Sequence, residues 1–349
     1  LGQPGADSRS ARDRCLAGFA AGATVHAISN IAAGLIVGYE PRRAMSTAAR
    51  SVSVIGGATS LRPRSAPSGT MAPGTRHVGC RSDAGDVSSD PSAVERLPPQ
   101  PDRVPDLDER FGGPLSAERW VTRYLPHWTT SDRSEARYRI TPDGLELRIE
   151  RDQLDWRPEE APLRVSNLQT GTYSGLVGST SGTHRHRDDL RVRTETPLQL
   201  LFAPVSGRVD LTMSATRDDG CMLAAWLVGT EHVSPDDSGE ICIVEIDADA
   251  VGQRTVVRNG VKAHHDRRMH TDMAEVTLPL DASLPHTWTV IWGSGQTVIG
   301  CDGLIVRRIA QAPTYPLFLM VDLFEIGKPG ADYPKTAMIH RVQAWSFSE

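Results

Sequence analysis

The run SGEICIVEID at residues 238–247 decides how the middle of this chain folds. Successive side chains of a β-strand point to opposite faces, so Glu240 and Cys242 lie on one face while the intervening isoleucines face a core. Glu245 is five residues from Glu240, and plain alternation would place it in that core. One β-bulge near Ile243–Val244 adds the residue that restores the parity. The sequence therefore predicts a bulged central strand with two glutamates on one face.

Similar short runs extend along the chain on both sides of this strand. TPDG at 141–144 is a hairpin turn, with Pro at its second position and Gly at its fourth. No long amphipathic helix lies between the runs, so the pattern does not predict a βαβ arrangement. It predicts an all-β fold, an antiparallel β-sandwich or jelly roll of two sheets. The predicted strands are 136–140, 145–149, 208–215, 221–228, 240–246, 253–259, 274–280, 287–293, 297–301, 304–309, 317–324 and 341–347.

The aromatic residues divide the 349-residue chain into two parts. Of 19 Phe, Trp and Tyr residues, only Phe19 and Tyr39 precede residue 104. A segment with so few large apolar side chains buries little surface, so we predict a low-complexity, disordered tail and linker at 1–103 and one jelly-roll domain at 104–349. The net charge of −5 divides into +4 for residues 1–100 and −9 for the remainder. An acidic domain suits a neutral polysaccharide and not a nucleic acid.

The predicted tail contains one stretch, residues 15–38, with features of a targeting signal. A basic start precedes an apolar run, and Val25-His26-Ala27 resembles a signal-peptide cleavage site. Polar residues interrupt the run, so we expect no stable membrane span. Three interpretations stay open: a signal peptide with secretion, a membrane anchor, or no targeting role in a cytoplasmic protein. LPPQPDRVPD at 97–106 predicts a stiff, polyproline-like linker.

Two carboxylic acids on one strand face suit glycoside hydrolysis. One carboxylate attacks the anomeric carbon, and the other donates a proton to the leaving oxygen. A separation of about 5–5.5 Å between them gives retention of configuration. These roles need pKa values that are pushed apart, with the pKa of the proton donor raised. A solvated strand face is the plain alternative, although the apolar opposite face of 238–247 favours a central strand.

Four other pieces of the sequence, taken with this strand, resemble one enzyme family. The order Glu, one residue, Cys, two residues, Glu at 240–245 resembles the active-site strand of glycoside hydrolase family 16, the laminarinase- and lichenase-like enzymes, which have Asp in the middle. The resemblance covers nearly all of 107–349 and implies a concanavalin A-like jelly roll. The other matching pieces are FGGPLSAERW (111–120), GRVDLTMSA with CMLAAWLVG (207–229), LPHTWTVIWGSGQTVIGCDGLIVRRI (284–309) and YPLFLMVDLF (315–324).

The resemblance implies roles for individual residues. Glu240 falls on the nucleophile and Glu245 on the general acid/base. Trp226 falls on an aromatic that stacks against sugar, although a core position would also explain it. Asp322 falls where the family has a cleft Asn, and is either a sugar-binding or a solvated strand residue. Cys242 replaces the Asp that hydrogen-bonds the nucleophile; a neutral thiol there fits either slower catalysis or a site that binds sugar without cutting it.

The remaining candidates are a loop tryptophan and several histidines. Trp128 in RYLPHW would either stack on sugar or anchor its loop. His286 begins a predicted strand at a position where the family has His, and a capping or packing role is the alternative. The other histidines have no recognised metal-ligand spacing and no CxxC pair occurs, so we expect solvated loops and no metal site. Those histidines are His184, His186, His264, His265 and His270.

Together these features predict a retaining hydrolase of O-glycosidic bonds in a β-linked, β-glucan-like polysaccharide. The resemblance implies no organic cofactor, and family members often carry a structural Ca²⁺ whose ligands this sequence does not identify. We expect a monomer whose partner is a polysaccharide or oligosaccharide. Two alternatives stay open: a non-catalytic, lectin-like jelly roll in which Cys242 marks lost activity, and an interaction module without a sugar ligand.

Overall fold

The computed structural model describes residues 95–327 and 330–348. The signal-like segment 15–38 and most of the predicted tail lie outside these residues. Within them, one short helix, α1 (Ser131–Ser134), and three single 3-10 turns (Pro126–Trp128, Pro158–Glu160 and Ala248–Ala250) accompany a chain that is otherwise strand and loop. None of the helices in this described part is long and apolar enough to cross a membrane.

Each predicted run overlaps a strand of the described residues. The strands are β1 (Leu107–Glu109), β2 (Arg137–Thr141), β3 (Gly144–Ile149), β4 (Leu163–Gln169), β5 (Gly171–Thr172), β6 (Gln199–Leu200), β7 (Gly207–Ser214), β8 (Cys221–Gly229), β9 (Glu240–Asp247), β10 (Thr255–Lys262), β11 (Asp272–Leu278), β12 (His286–Gly293), β13 (Gln296–Cys301), β14 (Leu304–Ile309), β15 (Leu317–Ile326) and β16 (Lys335–Ser346). Four of these strands, β1, β4, β5 and β6, were not predicted.

Two antiparallel sheets form the body of the fold. The order β14-β13-β12-β7-β16-β3-β2 forms the larger sheet, to which β1 is added through β16, and β11-β10-β9-β8-β15-β4 forms the smaller. A small β5-β6 ribbon stands apart from both sheets. Neighbours in these orders are often distant in sequence, as expected of a jelly roll. The predicted all-β jelly-roll sandwich is therefore confirmed.

The six-stranded sheet is buried on both of its faces, and this decides where the site lies. Strand β8 shows the alternation: Leu223 and Leu227 belong to the core between the sheets, whereas Trp226 belongs to a second apolar cluster on the outer face. Loop residues cover that outer face. The covering residues are Tyr124, Leu125, Trp128, Trp156, Leu190 and Val192.

Residues 95–106 lie along the domain, where the composition had suggested a linker. Leu97 is buried, and its N–H donates to a carbonyl of the β13–β14 turn at 2.9 Å. The guanidinium of Arg208 on β7 donates to the carbonyl of Pro98 at 2.7 Å. Residues 95–106 therefore belong to the folded domain, because they supply an apolar side chain and hydrogen-bond acceptors to the sandwich.

Candidate active site

Strand β9 lies in the middle of the smaller sheet and carries the predicted bulge. Across the β8–β9 pair, Ala224 faces Glu245 and Trp226 faces Cys242, so the register shifts by one residue between them. Ile243 and Val244 consequently both face the inter-sheet core. The bulge prediction is confirmed. It brings side-chain atoms of Glu240, Cys242 and Glu245 within 4.8 Å of one another on the outer face.

A lysine on the next strand joins the two glutamates. The Nζ atom of Lys262 lies 2.9 Å from Oε1 of Glu240 and 2.8 Å from Oε1 of Glu245. Arg258 lies four residues before Lys262 on β10. It donates from Nε to Oε2 of Glu245 at 2.9 Å and also pairs with Asp247. Both glutamates are almost completely buried. Such charges remain stable in the interior only when they are paired in this way.

The neighbouring cations determine the ionisation of both acids. Burial acts to raise the pKa of Glu240, but Lys262 and His264 outweigh it and hold that pKa well below its usual range. Burial likewise opposes ionisation of Glu245, but Lys262 and Arg258 lower its pKa below the ordinary value. The sequence argument expected a raised pKa at Glu245, and that expectation is wrong for this arrangement. The physical reason is that two cations of β10 bond directly to this carboxylate.

Cys242 lies between the glutamates as a buried thiol. Burial, together with the charge of Glu245, raises its pKa well above the ordinary value, so it stays protonated. Its S–H donates to the carbonyl of Arg258 at 3.7 Å. The thiol therefore adds no third negative charge to the site, in agreement with the sequence argument for a neutral S–H.

Two histidines approach Glu240 from different loops. His264 Nε2 lies 2.9 Å from Oε2 of Glu240, and His184 Nδ1 lies 4.0 Å from the same oxygen. Their rings are 5.0 Å apart and nearly perpendicular. His184 is buried, and its backbone N–H donates to Oε1 of Glu231 at 2.5 Å. The expectation of solvated loops is therefore wrong for this pair, because the loops fold inward onto the sheet.

Trp226 and Asp322 share the outer face with the glutamates, as the alternation predicted. Trp226 packs against Phe324, with ring centroids 5.5 Å apart, and its indole N–H has no partner among the described residues. Asn167 on β4 donates to Oδ1 of Asp322 at 2.6 Å. Burial, reinforced by the charge of Glu240 and only partly offset by Asn167, raises the pKa of Asp322 well above its usual range. Asp322 is thus a buried carboxylic acid and not a solvated strand residue.

Two other predicted site residues lie away from this face. Trp128 is fully buried in the covering cluster, and its indole N–H donates to the carbonyl of Thr183 at 2.9 Å. That bond makes it an anchor for the covering loop. His286 stands on β12 in the opposite sheet, where Nδ1 lies 2.7 Å from Oδ2 of Asp302. It holds the end of a hairpin, which matches the capping alternative.

A groove at the surface borders the loop that carries His264. This groove of about 880 Å³ is lined by the loops that carry His264, His265, Arg185 and Glu231, among other residues. His264 is part of this lining and also bonds Glu240. The groove therefore reaches His264, the partner of Glu240, while neither glutamate of β9 is part of its lining.

Sequence reasoning missed several residues of this site. Lys262 was overlooked because the predicted strand ended at residue 259, at the Asn-Gly pair that precedes Val261. Arg258 lies inside that predicted strand, but the sequence did not show that the strand pairs with β9. Pairing that strand with β9 and extending it would have found them, since antiparallel neighbours of two glutamates are natural positions for cations. Asn167 was missed because its strand is rich in polar residues and shows no clear alternation.

The comparisons with known proteins bear on the fold. No protein-family model and no curated protein sequence matches this chain. Among solved structures, the GlcNAcα1-4Gal-releasing endo-β-galactosidase from Clostridium perfringens is similar, with TM-score 0.59 and 20% identity over 71% of this chain. This chain spans 65% of that enzyme's length.

A family 16 enzyme gives the more complete match. Two structures of a non-specific endo-β-1,3(4)-glucanase of that family, crystallised with gluco-oligosaccharides, align with TM-scores of 0.50 and 0.52. The identities are 16% and 15%, and each alignment covers 72% of this chain and 98% of the glucanase. The chain therefore has a jelly-roll fold like that of the family 16 glycoside hydrolases.

Proposed function

We propose that this protein is a retaining glycoside hydrolase of β-linked polysaccharides, with Glu240 as nucleophile and Glu245 as general acid/base. One observation carries the proposal. The bulge of β9 sets the two glutamates on one face, with side-chain atoms of Glu240, Cys242 and Glu245 within 4.8 Å of one another. Carboxyl groups about 5–5.5 Å apart are characteristic of retaining enzymes, whereas inverting enzymes need a wider gap for water.

The first chemical step suits the ionised state of Glu240. Its lowered pKa keeps it a carboxylate, which can attack the anomeric carbon and form a glycosyl-enzyme. Glu245 must protonate the leaving oxygen and later take a proton from the attacking water. Since Lys262 and Arg258 keep Glu245 ionised, the proposal requires that substrate binding separates Glu245 from Lys262 and lets it take up a proton.

Other residues of the outer face have suitable chemistry for sugar recognition. Trp226 has an indole N–H without a partner among the described residues, and Asp322 has an Oδ2 atom in the same condition. Carbohydrates offer hydroxyl groups that bond such atoms and apolar C–H faces that pack against indole rings. The glucanase with the similar fold holds a 1,3-β-D-cellobiosyl-glucose at its active site, so β-glucans are the first substrates to test.

A second candidate function is non-catalytic carbohydrate binding. The specific observation in its favour is that both oxygens of Glu245 are bonded to cations, Oε1 to Lys262 at 2.8 Å and Oε2 to Arg258 at 2.9 Å. A carboxylate held in this way has no oxygen free to act as an acid. In this candidate the network stabilises the sheet, and only the sugar-binding surface is retained.

An assay of reducing ends released from laminarin and lichenan separates the two candidates. We expect release by the wild type and a loss of at least about a hundredfold in Glu240→Gln and Glu245→Gln. Glu325→Gln is the matched control, because Glu325 is also a buried, ion-paired glutamate of the same sheet but bonds Arg164.

Two results would contradict the hydrolase proposal. Release that survives both substitutions would remove Glu240 and Glu245 from the mechanism. No release by the wild type, together with retarded migration in gels that contain the same polysaccharide, would support the binding candidate instead.

A further inference from the structure

We propose that His184, His264 and Glu240 form a binding site for a divalent transition-metal ion, best suited to Zn²⁺. The three side chains each offer one ligand atom, and these atoms lie within 4.8 Å of one another. Two imidazoles and one carboxylate are a ligand set that zinc accepts, with a fourth position left for water or another oxygen ligand. This site would give the protein a second function besides the proposed hydrolysis. Metal binding is measured independently of sugar cleavage.

The distances support one ion shared by all three groups. Zinc–nitrogen and zinc–oxygen distances of about 2.1 Å place tetrahedral ligands about 3.4 Å apart. The observed separations from Oε2 of Glu240 are 2.9 Å to Nε2 of His264 and 4.0 Å to Nδ1 of His184. These two values lie on either side of the ideal one. Small side-chain adjustments would therefore bring all three atoms to bonding distance.

The surroundings fix the ligands in place. His184 and His264 both have left-handed backbone conformations, with φ of 57° and 47°. Glu231 accepts the N–H of His184, and the hydroxyl of Ser238 accepts the N–H of His265 beside His264. These backbone hydrogen bonds hold the two loops that carry the ligands.

The local charge also suits a cation. The Nζ atom of Lys262 faces Oε1 of Glu240 at 2.9 Å, whereas Oε2 faces the histidines. The ion network around it contains three carboxylates, those of Glu240, Glu245 and Asp247, against the two cations Lys262 and Arg258. One negative charge is therefore not balanced within the network. His264 also lines the groove, so one of the three ligands lies at its wall.

Zinc titration of the metal-free full-length chain tests the site. We expect isothermal titration with ZnCl₂ to detect one equivalent that His184→Ala and His264→Ala lose, with affinity reduced by more than about a hundredfold. His265→Ala is the control, because His265 lines the same groove but its Nε2 faces the carbonyl of Arg185 at 3.1 Å. Near-ultraviolet circular dichroism shows that each variant is folded.

The visible spectrum of Co²⁺ gives a second measurement. An intense four-coordinate band in the wild type and in His265→Ala, absent from folded His264→Ala, is expected. Equal stoichiometry and affinity in the wild type and both ligand variants would overturn the proposal, as would no binding by the wild type.

The metal site and the hydrolase can fail separately. Glu245→Gln should abolish hydrolysis and retain the zinc equivalent, because Glu245 is not a ligand. Zinc should inhibit hydrolysis by the wild type, since it occupies the carboxylate oxygen of Glu240 that faces the histidines. Hydrolysis without zinc binding would refute only the metal site, and zinc binding without hydrolysis would refute only the hydrolase.

Discussion

At the scale of single residues, Lys262 controls the two acids. Its ammonium lowers the pKa of Glu240 and the pKa of Glu245, so Lys262→Met should raise both. The proposed hydrolysis needs Glu240 ionised and Glu245 protonated. Both limbs of the pH–rate profile should therefore move to higher pH in Lys262→Met, a shift that reducing-end assays across a pH series detect.

The same substitution carries a cost in stability. It leaves two buried carboxylates with fewer partners, for which we expect a loss of about 3–5 kcal/mol in the free energy of unfolding. Lys335→Met is the matched control, because Lys335 is also buried but stands on β16 in the other sheet; its profile should stay unchanged. A folded Lys262→Met protein with the wild-type profile would show that Lys262 does not set the ionisation of these acids.

Asp322 gives a second prediction at the residue scale. Burial raises its pKa well above normal, so the folded state keeps a proton at this site over a pH range in which the unfolded state has lost it. The folded state is penalised as pH rises above the unfolded pKa of about 3.9, and the penalty is absent below that value. Asn cannot ionise, so Asp322→Asn should be more stable at pH 7, by more than about 0.5 kcal/mol.

Urea unfolding at neutral pH and at about pH 3.5 measures this difference. The advantage of Asp322→Asn should disappear at the lower pH. Asp210→Asn is the comparison, because it breaks a buried ion pair with Arg208 and should lose stability at neutral pH. Equal stability of Asp322→Asn and the wild type at pH 7 would mean that Asp322 is ionised in the folded protein.

At the scale of secondary-structure elements, β10 depends on one glycine. Gly260 faces Cys242 across the β9–β10 pair and has φ of +150°. A Cβ atom there would lie 2.1 Å from the carbonyl oxygen of Asp272, a backbone atom on β11. Gly260→Ala should therefore lower the free energy of unfolding by at least about 2 kcal/mol.

Gly295 separates the two causes of the loss expected at Gly260, which are backbone strain and the close approach of β11. It also has a positive φ, +71°, in the β12–β13 turn, but a Cβ atom there meets nothing within 4 Å. Gly295→Ala should cost only the backbone strain, about 1 kcal/mol. Thermal unfolding of both variants gives the comparison, and equal losses would show that the close approach of β11 has no effect.

The same strands show how far sequence reasoning reaches. Strands β8 and β15 were predicted because they are continuous apolar runs, which are buried on both faces of the sheet. Strand β4 was missed because its buried polar side chains form hydrogen bonds instead of apolar contacts. Asn167 donates to Asp322, Ser166 to the carbonyl of Arg148 and Gln169 to the carbonyl of Gly171. The glutamates of β9 followed from local parity. Their pKa values did not, because these depend on Lys262, which only the folded sheet brings beside them.

At the scale of the whole molecule, the covered outer face sets the position of the site. Loop residues such as Trp128 bury that face, and Thr183 of the covering loop accepts the bond from its indole N–H. The glutamates consequently lie in a low-dielectric interior, where the ion pairs are stronger than in an open cleft. His264, which bonds Glu240, also lines the groove of about 880 Å³.

The segment before β1 gives the last prediction, because it packs against the larger sheet and accepts hydrogen bonds from it. Leu97 is buried there, Arg208 donates to the carbonyl of Pro98, and Trp345 donates to the carbonyl of Arg103 at 3.0 Å. A chain that starts at residue 105 would leave these two donors without their acceptors, at about 1–3 kcal/mol for each buried group. Its melting temperature should therefore fall below that of a chain that starts at residue 95, as calorimetry of the two would measure. Equal melting temperatures would mean that residues 95–104 do not contribute to the stability of the sandwich.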